Sequence, residues 1–377
     1  MSVHTGLRLL VAKSELRRTR LAPDPDAPAA RALADGEVRL AIEHFALTAN
    51  NITYAVFGEA MKYWQFFPTD DPAWGCVPVW GFANVDESRV VGIEVGQRVY
   101  GYLPMGSHLV VQPSSISARG FTDGAVRRRD LPIVYNQMSW CAGDASYRSD
   151  REGQQAILKP LFTTSFLIDD FLAQADFFGA RQIWLSSASS KTAYGTAFCL
   201  SRRRGSTPPL RVEGLTSPAN IEFTRALGCY DEVRSYENLD ALDLQTPAVF
   251  IDFAGNATVR RKVHQSLGDH LQSSCSVGGT HWEGLGNGQG LTGPRPVMFF
   301  APAQLKKRLA PPPDGWGAEG LQRQMNEAWQ AFMQPVCEAT PPWLVIEHGE
   351  GAPAVERAYL ELLEGRADAR RGLMLRL

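Results

Sequence analysis

Nothing in this 377-residue sequence approaches the roughly 18–20 consecutive apolar residues that a membrane span requires. Neither sign of charge predominates. The 38 basic and 40 acidic residues leave a net charge of −2, too small a field to gather nucleic acid or an anionic membrane surface. The one dense basic run, Arg127–Arg129 (with the similar Arg202–Arg204), reads as a solvated loop. Cysteine is sparse: Cys76, Cys141, Cys199, Cys229, Cys275 and Cys337 never come closer than 30 residues. That spacing excludes a compact disulfide framework and a zinc knuckle, and it suits a reducing cytoplasm. At the N-terminus the apolar piece Leu9–Ala12 is followed at once by charge, so it reads as a first strand and not as a signal peptide. Internal repeats and low-complexity tracts are lacking too.

What remains is an ordinary globular composition, long enough for two domains that each bury a core. The first 115 residues are strand-like. Glu37–Phe45 alternates polar and apolar residues, and Val77–Val85, Gln97–Tyr102 and Ser107–Val111 follow, punctuated by Gly81, Gly92, Gly96 and Gly106. A barrel or sandwich of short strands is expected. Arg119–Glu152 shows no sustained period and reads as a long surface excursion. Gln155–Phe178 suits a partly buried helix after Pro160. From there short apolar runs alternate with helical spacing: Gln182–Leu185, Thr192–Arg202, Leu210–Gly214, Pro218–Leu227, Glu232–Val233, Ala248–Asp252, Ala257–Leu267 and Leu271–Val277. That alternation predicts βαβ units and a parallel sheet. Val297–Phe300, Trp343–Glu347 and Leu373–Leu377 read as further strands, Leu321–Phe332 and Ala354–Leu363 as helices.

The chemistry-bearing segment is Ile183-Trp184-Leu185-Ser186-Ser187-Ala188-Ser189-Ser190-Lys191-Thr192-Ala193-Tyr194-Gly195. An apolar strand runs into small residues and then into a helix. Small side chains let backbone amides approach a pyrophosphate, and a helix N-terminus supplies partial positive charge. This is a Rossmann arrangement in which serines and Ala193 replace most glycines; Ser-rich turns of this kind also serve simply as helix caps. Ser190-Lys191-Thr192 lacks the upstream glycines of a Walker A loop. The next strand ends at Gly214-Leu215-Thr216-Ser217, where an NAD enzyme places an acidic residue on the ribose 2′-hydroxyl. Neutral residues there permit a 2′-phosphate and favour NADP(H).

Several segments together resemble the medium-chain dehydrogenase/reductase superfamily. Leu33–Glu43 followed by Ala49–Thr53 is similar to its first barrel strand and the Asn-containing turn behind it. Val77–Val85, Val95–Gly101 and Ser107–Val111 are similar to the barrel strands that follow, Ala226–Val233 to the family's “LGAD” segment, and Ala358–Arg366 to its closing helix. The resemblance spans essentially the whole chain. It is nearest to the zinc-free, quinone oxidoreductase-like branch, and nearer still to the DUF2855 family on Leu47–Gly58, Leu161–Phe171 and Ser186–Ala193. It implies an α/β fold: a doubly wound Rossmann sheet over 156–300 and a GroES-like β-barrel domain from 1–155 with 301–377. Where zinc alcohol dehydrogenases carry Gly-His-Glu, this chain has Trp80-Gly81-Phe82, which cannot ligate zinc; the four-cysteine structural loop is missing as well.

By that resemblance Ser187, Ser190 and Ala193 take the three small positions of the pyrophosphate turn, with Ser189, Lys191 and Thr192 beside them. Thr216 and Ser217 fall at the 2′-phosphate with Tyr236, and Lys191 is either a further cation for it or a solvated first-turn lysine. Thr163, Thr164, Asn256 and the strand end Cys275–Thr280, including Gly278, flank the nicotinamide; Thr164 matches a threonine opening the family's domain-linking helix. Asn50 or Asn51 polarises a carbonyl while the other braces the turn. Tyr54 and Tyr63 donate a proton or simply pack, and Trp64, Phe66, Phe67 and Trp80 line an aromatic pocket or belong to the core. His281 and Glu283 lie just past a strand end without forming an assured pair. Asp169 and Asp170 face water or cap a neighbour.

Two functions are consistent with this reading. One is an NADPH-dependent reductase passing hydride to an enone, quinone or related activated carbonyl compound, with no metal needed. The other is an NADP(H)-binding protein without redox turnover, a sensor or a protein whose cleft serves another reaction. Partners would be a small-molecule substrate and possible second copy joined through Leu271–Val277 and Val297–Phe300, with no nucleic acid and no membrane.

Overall fold

Six wholly parallel strands form the sheet of the C-terminal half, and their order explains where a ligand can sit. In chain sequence they are Gln182–Leu185, Arg211–Thr216, Glu232–Ser235, Ala248–Asp252, Leu271–Ser276 and Val297–Met298; in space they run third-second-first-fourth-fifth-sixth. The computed structural model describes residues 6–203, 205, 209–239, 243–253, 255–278 and 290–377. Gln182–Leu185 and Ala248–Asp252 are buried at every position, as expected of central strands covered on both faces. Trp184 reaches 0 % exposure because its indole N–H donates to Gln182 Oε1 at 2.8 Å. It packs with Leu215, Phe250, Val259, Val263 and Leu267.

The chain divides into two compact units, 1–157 with 344–377, and 158–343. The boundary falls inside the helix Glu152–Gln174. That helix starts eight residues before Pro160, where the sequence had suggested it would begin. A proline inside a helix costs about 3 kcal/mol. Burial of Ile157, Leu158, Leu161, Phe162, Leu167, Ile168 and Leu172 outweighs it.

Residues 301–343, expected with the first unit, pack within the second. The helix Gly317–Glu338 buries Leu321, Trp329, Phe332, Met333 and Val336, a helically spaced stripe that needs an apolar partner. Phe332 finds it by stacking on Phe162, with centroids 4.6 Å apart. The helix Ala301–Leu309 is tied down through Arg308 and Gln304, both bonded to Asp170 at 2.7 Å. Asp169 is held by Arg203 at 2.7 and 2.8 Å. Neither aspartate faces water: a bidentate arginine satisfies each carboxylate inside the fold.

The first unit is built on a nine-stranded sheet. Its path runs Val345–Glu350, Arg371–Arg376, Val38–Leu47, Pro78–Ser88, Arg98–Pro104, Gln137–Trp140, Gly120–Asp123 and Pro113–Ser117, with His108–Val111 also paired to Val38–Leu47. Glu15–Pro23, Leu7–Ala12 and Trp74–Gly75 make a smaller sheet. Residues 119–152 are thus no surface excursion. Gly120–Asp123 and Gln137–Trp140 extend the main sheet, and between them Arg128 is 0 % exposed, its Nε 2.9 Å from the equally buried Asp123. The strands are four residues each, too short for a period to show, and one arginine of the triplet is paired in the core while Arg127 and Arg129 remain exposed. None of the six cysteines is in a disulfide. Among the described residues no helix is long and apolar enough to cross a membrane.

Candidate functional site

In the parallel sheet the strand order reverses between Gln182–Leu185 and Ala248–Asp252, and open α/β sheets bind ligands outside the carboxyl ends of their strands at such a reversal. Here the two strand ends are tied together. Ser186 Oγ donates to Asp252 Oδ1 at 2.8 Å and accepts from Phe253 N–H at 3.0 Å. Asp252 further accepts from Gly255 N–H at 3.0 Å and from Arg260 Nε and Nη2 at 3.0 and 2.8 Å. Neither Ser186 nor Asp252 stands out in the sequence, where one is a serine among four and the other an ordinary strand end.

The turn itself is braced by hydroxyls. Ser187 has φ +47°, a left-handed conformation costly for a residue with a Cβ. Its N–H donates to Tyr236 Oη at 2.8 Å. Tyr230 Oη donates to Ala188 O at 2.8 Å, and Ala188 N–H donates to Leu215 O at 3.0 Å. Thr216 Oγ1 donates to Ser189 Oγ at 3.3 Å. Ser190 caps the helix Lys191–Ser201, its Oγ accepting from Ala193 N–H at 3.3 Å, while its own N–H donates to Ser187 O at 2.7 Å. Five expected residues, Ser187, Ser189, Ser190, Thr216 and Tyr236, therefore share one small network, with Lys191 and Thr192 on the adjoining first helical turn. A Cβ on Gly214 would lie 2.9 Å from the Tyr230 ring and 3.0 Å from Ala188 Cβ, which keeps the second strand close beneath the turn.

Other expected residues are committed elsewhere. Asn256 caps the helix Ala257–Leu267, its Oδ1 accepting from Thr258 and Val259 N–H. Ser217 Oγ accepts from Asn220 at 3.1 Å. Thr164 does not open a helix: it lies within Glu152–Gln174 and bonds back to Pro160 O, as Thr163 does to Lys159 O. One residue on, Ser165 Oγ donates to Thr192 O at 2.7 Å, and a Cβ on Gly195 would come within 2.7 Å of Ser165 Oγ. Gly195, not Ala193, is the position at which this helix pair demands a missing side chain. Gly278 follows the fifth strand, whose next residue, Val277, donates to Asp252 O. Thr280, His281 and Glu283 lie outside the described residues. Burial pushes the Cys275 thiol up to about 12.

The turn fits an anion such as a dinucleotide pyrophosphate. Its side chains are small, its donors are backbone N–H groups and hydroxyls, and the first N–H groups of the following 11-residue helix have no intrahelical partner. The second strand ends without a carboxylate at Thr216 and Ser217. One adjustment is built in: the Ser187 N–H already has Tyr236 as its acceptor.

In the first unit the expected acceptor-side residues separate by role. Asn51 is the brace. Its Oδ1 accepts from Thr48 N–H at 2.7 Å, completing a capping box, and its Nδ2 donates to Pro78 O at 2.8 Å. Asn50 is half-buried near the Tyr54 hydroxyl, which accepts from Trp80 Nε1 at 3.3 Å. Tyr63 Oη lies 3.4 Å from Tyr135 Oη. Burial raises both Tyr54 and Tyr63 above the usual phenol range. Trp64, Phe66 and Phe67 are all buried, whereas Trp80 is half-exposed and stacks on Tyr100. At Trp80-Gly81-Phe82 a Cβ on the glycine would come within 2.4 Å of His44 O. Among the described residues no three His, Cys, Asp or Glu side chains group so as to hold a metal ion.

The family model for proteins of unknown function, DUF2855, matches residues 45–368. No curated protein matches the chain. Among solved structures, CurA from Vibrio vulnificus aligns with a TM-score of 0.57 at 12% identity over 98% of each chain, and its complex with NADPH gives 0.55. A quinone oxidoreductase of Pseudomonas syringae pv. Tomato DC3000 gives 0.52 at 14% identity, over 98% of this chain and 99% of that one. The yhdH oxidoreductase of Salmonella enterica, in complex with NADP, gives 0.50 at 12% over 98% and 99%. Identities this low carry the fold alone, and that fold is the one the strand order and the sequence resemblance indicate. The chain belongs to the DUF2855 family, built on the fold of the medium-chain dehydrogenases/reductases.

Proposed function

We propose that this protein is an NADPH-dependent reductase that passes hydride to an enone, quinone or related activated carbonyl compound without a zinc ion. The observation that carries the reading is the small-residue turn at the reversal of the parallel sheet, capped by Ser190 and flanked by a strand end free of carboxylates. Structures of the same fold with NADPH or NADP bound support it. Ser187, Ser189, Ser190, Lys191 and Thr192 would hold the pyrophosphate, and Thr216, Ser217 and Tyr236 the 2′-phosphate. Thr164, Asn256 and Gly278 are the proposed nicotinamide neighbours. Bound NADPH supplies the hydride, so the protein need only orient it and stabilise charge growing on the acceptor. Trp80-Gly81-Phe82 offers no zinc ligand, and reduction of an activated double bond does not require one.

Tyr54 is the proposed proton donor. Trp80 Nε1 donates to its hydroxyl oxygen, so the hydroxyl's own proton is directed to an acceptor. Asn50 is the better of the two asparagines for contacting an acceptor, because both ends of the Asn51 amide are engaged. Calorimetric titration should show NADPH binding at least about tenfold more tightly than NADH, and failure to bind either would end the proposal. NADPH consumption should follow with members of a quinone and enone panel, and Tyr54→Phe should lower kcat about 100-fold with little change in KM.

A second reading, NADP(H) binding without turnover, is favoured by the engagement of Ser187 N–H with Tyr236 and of Tyr63 with Tyr135. NADPH binding without consumption across the panel would select it. Val297 and Met298 are exposed on the sixth strand, an edge through which a second copy would continue the sheet; sedimentation velocity reads that out.

A further inference from the structure

In the small-residue turn the backbone N–H of Ser187 is engaged by a side chain that comes from two strands away. Tyr236 follows the third strand of the parallel sheet, Glu232–Ser235, and its own N–H donates to Thr216 O at 3.1 Å. It therefore starts beside the carboxyl end of the second strand, where Ser235 pairs with Thr216. From there the half-buried ring packs against the core that contains Trp184 and Leu215, and its Oη accepts from Ser187 N–H at 2.8 Å. The phenol proton is less well placed. Among the described residues Oη meets one other polar atom, Ser187 Oγ, at 3.5 Å.

A backbone N–H turned outward by a left-handed residue is what anion-binding turns offer to a phosphate oxygen. Ser187, at φ +47°, has that conformation, and the oxygen it points to belongs to Tyr236. A phosphate reaching this amide competes with the phenol. The outcome depends on what the displaced hydroxyl gains. A phenol both accepts and donates; turned onto an anion, it donates in a charge-assisted bond roughly twice as strong as the neutral one it leaves. The strand end beside Tyr236 is the one proposed for the 2′-phosphate, and Gly214, Leu215, Thr216 and Ser217 include no carboxylate to claim the proton instead.

We infer that Tyr236 discriminates between the two nicotinamide dinucleotides by occupying the Ser187 N–H. A 2′-phosphate draws the hydroxyl away and frees the amide for the pyrophosphate. A dinucleotide lacking that phosphate must displace the hydroxyl without giving it a new partner. Tyr236 thus sets specificity by competition as well as by contact. The inference rests on the NADP(H) reading of the turn and adds how that preference is produced. A contact alone would make loss of the hydroxyl harmful to NADPH and neutral to NADH; competition makes the same loss favourable to NADH.

Calorimetric titration of the full chain with NADPH and with NADH, in the wild type and in Tyr236→Phe, tests it. The variant keeps the ring in its packing and removes only the hydroxyl. NADH should bind about fivefold more tightly, because one neutral hydrogen bond no longer has to be broken. NADPH should bind about fivefold more weakly, the difference between the charge-assisted bond lost and the neutral bond spared. The preference for NADPH should therefore fall about 25-fold. Because the hydroxyl also steadies Ser187, the comparison is repeated in Ser187→Gly, where a left-handed φ costs little. Tyr236→Phe/Ser187→Gly should show the same NADH gain over Ser187→Gly, and this background decides. NADH affinity unchanged there marks Tyr236 as a contact only, and equal weakening of both dinucleotides marks it as a prop; either result overturns the inference. If the wild type prefers NADPH and one of those results is found, the reading of the turn stands and only the inference falls. Failure of all four proteins to bind either dinucleotide removes both.

Discussion

Asp252→Asn is the substitution that most directly probes how the parallel sheet holds its turn. The carboxylate accepts four hydrogen bonds, from Ser186 Oγ, Gly255 N–H and two nitrogens of Arg260. Asparagine can keep the Oδ1 pair, but its amide NH₂ then faces a guanidinium, donor against donor. Arg260 is only 5 % exposed, so this donor–donor contact is buried with its charge. Removing one partner of a buried ion pair costs about 3–5 kcal/mol. In a unit of this size each kcal/mol lowers the melting temperature by roughly 2–4 °C, so a fall of about 6–20 °C is expected by differential scanning calorimetry, in the transition assigned to the second unit. NADPH affinity should weaken with it, because Ser186 loses its anchor at the turn. Adding Arg260→Met should restore about half of the lost stability by removing the guanidinium that faces the new amide. A fall of less than about 2 °C in the single variant, or a double variant no more stable than the single, would refute the account of Asp252 as the tie between the strand ends.

Asn51→Ala removes a capping-box acceptor and the donor to Pro78 O together, and should cost about 2–4 kcal/mol by urea unfolding while Asn50→Ala costs under about 1 kcal/mol. Gly195→Ala gains about 1 kcal/mol of helix propensity but brings a Cβ within 2.7 Å of Ser165 Oγ; net destabilisation of about 1–2 kcal/mol is expected, largely cancelled in Ser165→Ala/Gly195→Ala. Glu152 gives a pH signature. Burial alone would raise its pKa, but hydrogen bonds from His44, Arg98 and Tyr147 hold it at about 2, below the ordinary 4.5. A depressed carboxylate stabilises the fold fully above pH 4.5 and less as pH falls towards 2. The melting temperature should therefore drop across that window, and Glu152→Gln should flatten the drop while lowering stability at pH 7.

The parts of the fold that were legible in the sequence are those whose cause is local. Ile183-Trp184-Leu185 and Ala248–Asp252 are unbroken apolar runs because both faces of a parallel strand are covered, and a composition of that kind shows without a partner. The Ser186–Ser190 turn showed for the same reason. What stayed hidden depends on a partner far away in sequence. Arg128 reads as one of three solvated arginines until Asp123 and the Phe67 ring are beside it. Asp169 and Asp170 look interchangeable, yet consecutive helical positions point about 100° apart, so each meets a different arginine. The same rotation separates Asn50 from Asn51, making one a brace and leaving the other beside Tyr54. Helix spacing in Leu321–Phe332 was plain, but an apolar stripe does not say which surface it will cover, and Phe162 supplied the answer.

The tyrosine struts beneath the turn bear on how a ligand would be received thermodynamically. A glycine-rich loop is wide-ranging before it binds, and ordering it subtracts from affinity. Here Ser187 is held in its left-handed conformation by the Tyr236 hydroxyl, and Ala188 by that of Tyr230. The ordering is completed when the chain folds, so an arriving phosphate would exchange one hydrogen bond for another instead of freezing a loop. Binding at such a turn should therefore show a small entropic penalty and modest enthalpy, a profile set by two side chains from the neighbouring strands and their connections and not by the turn's own residues.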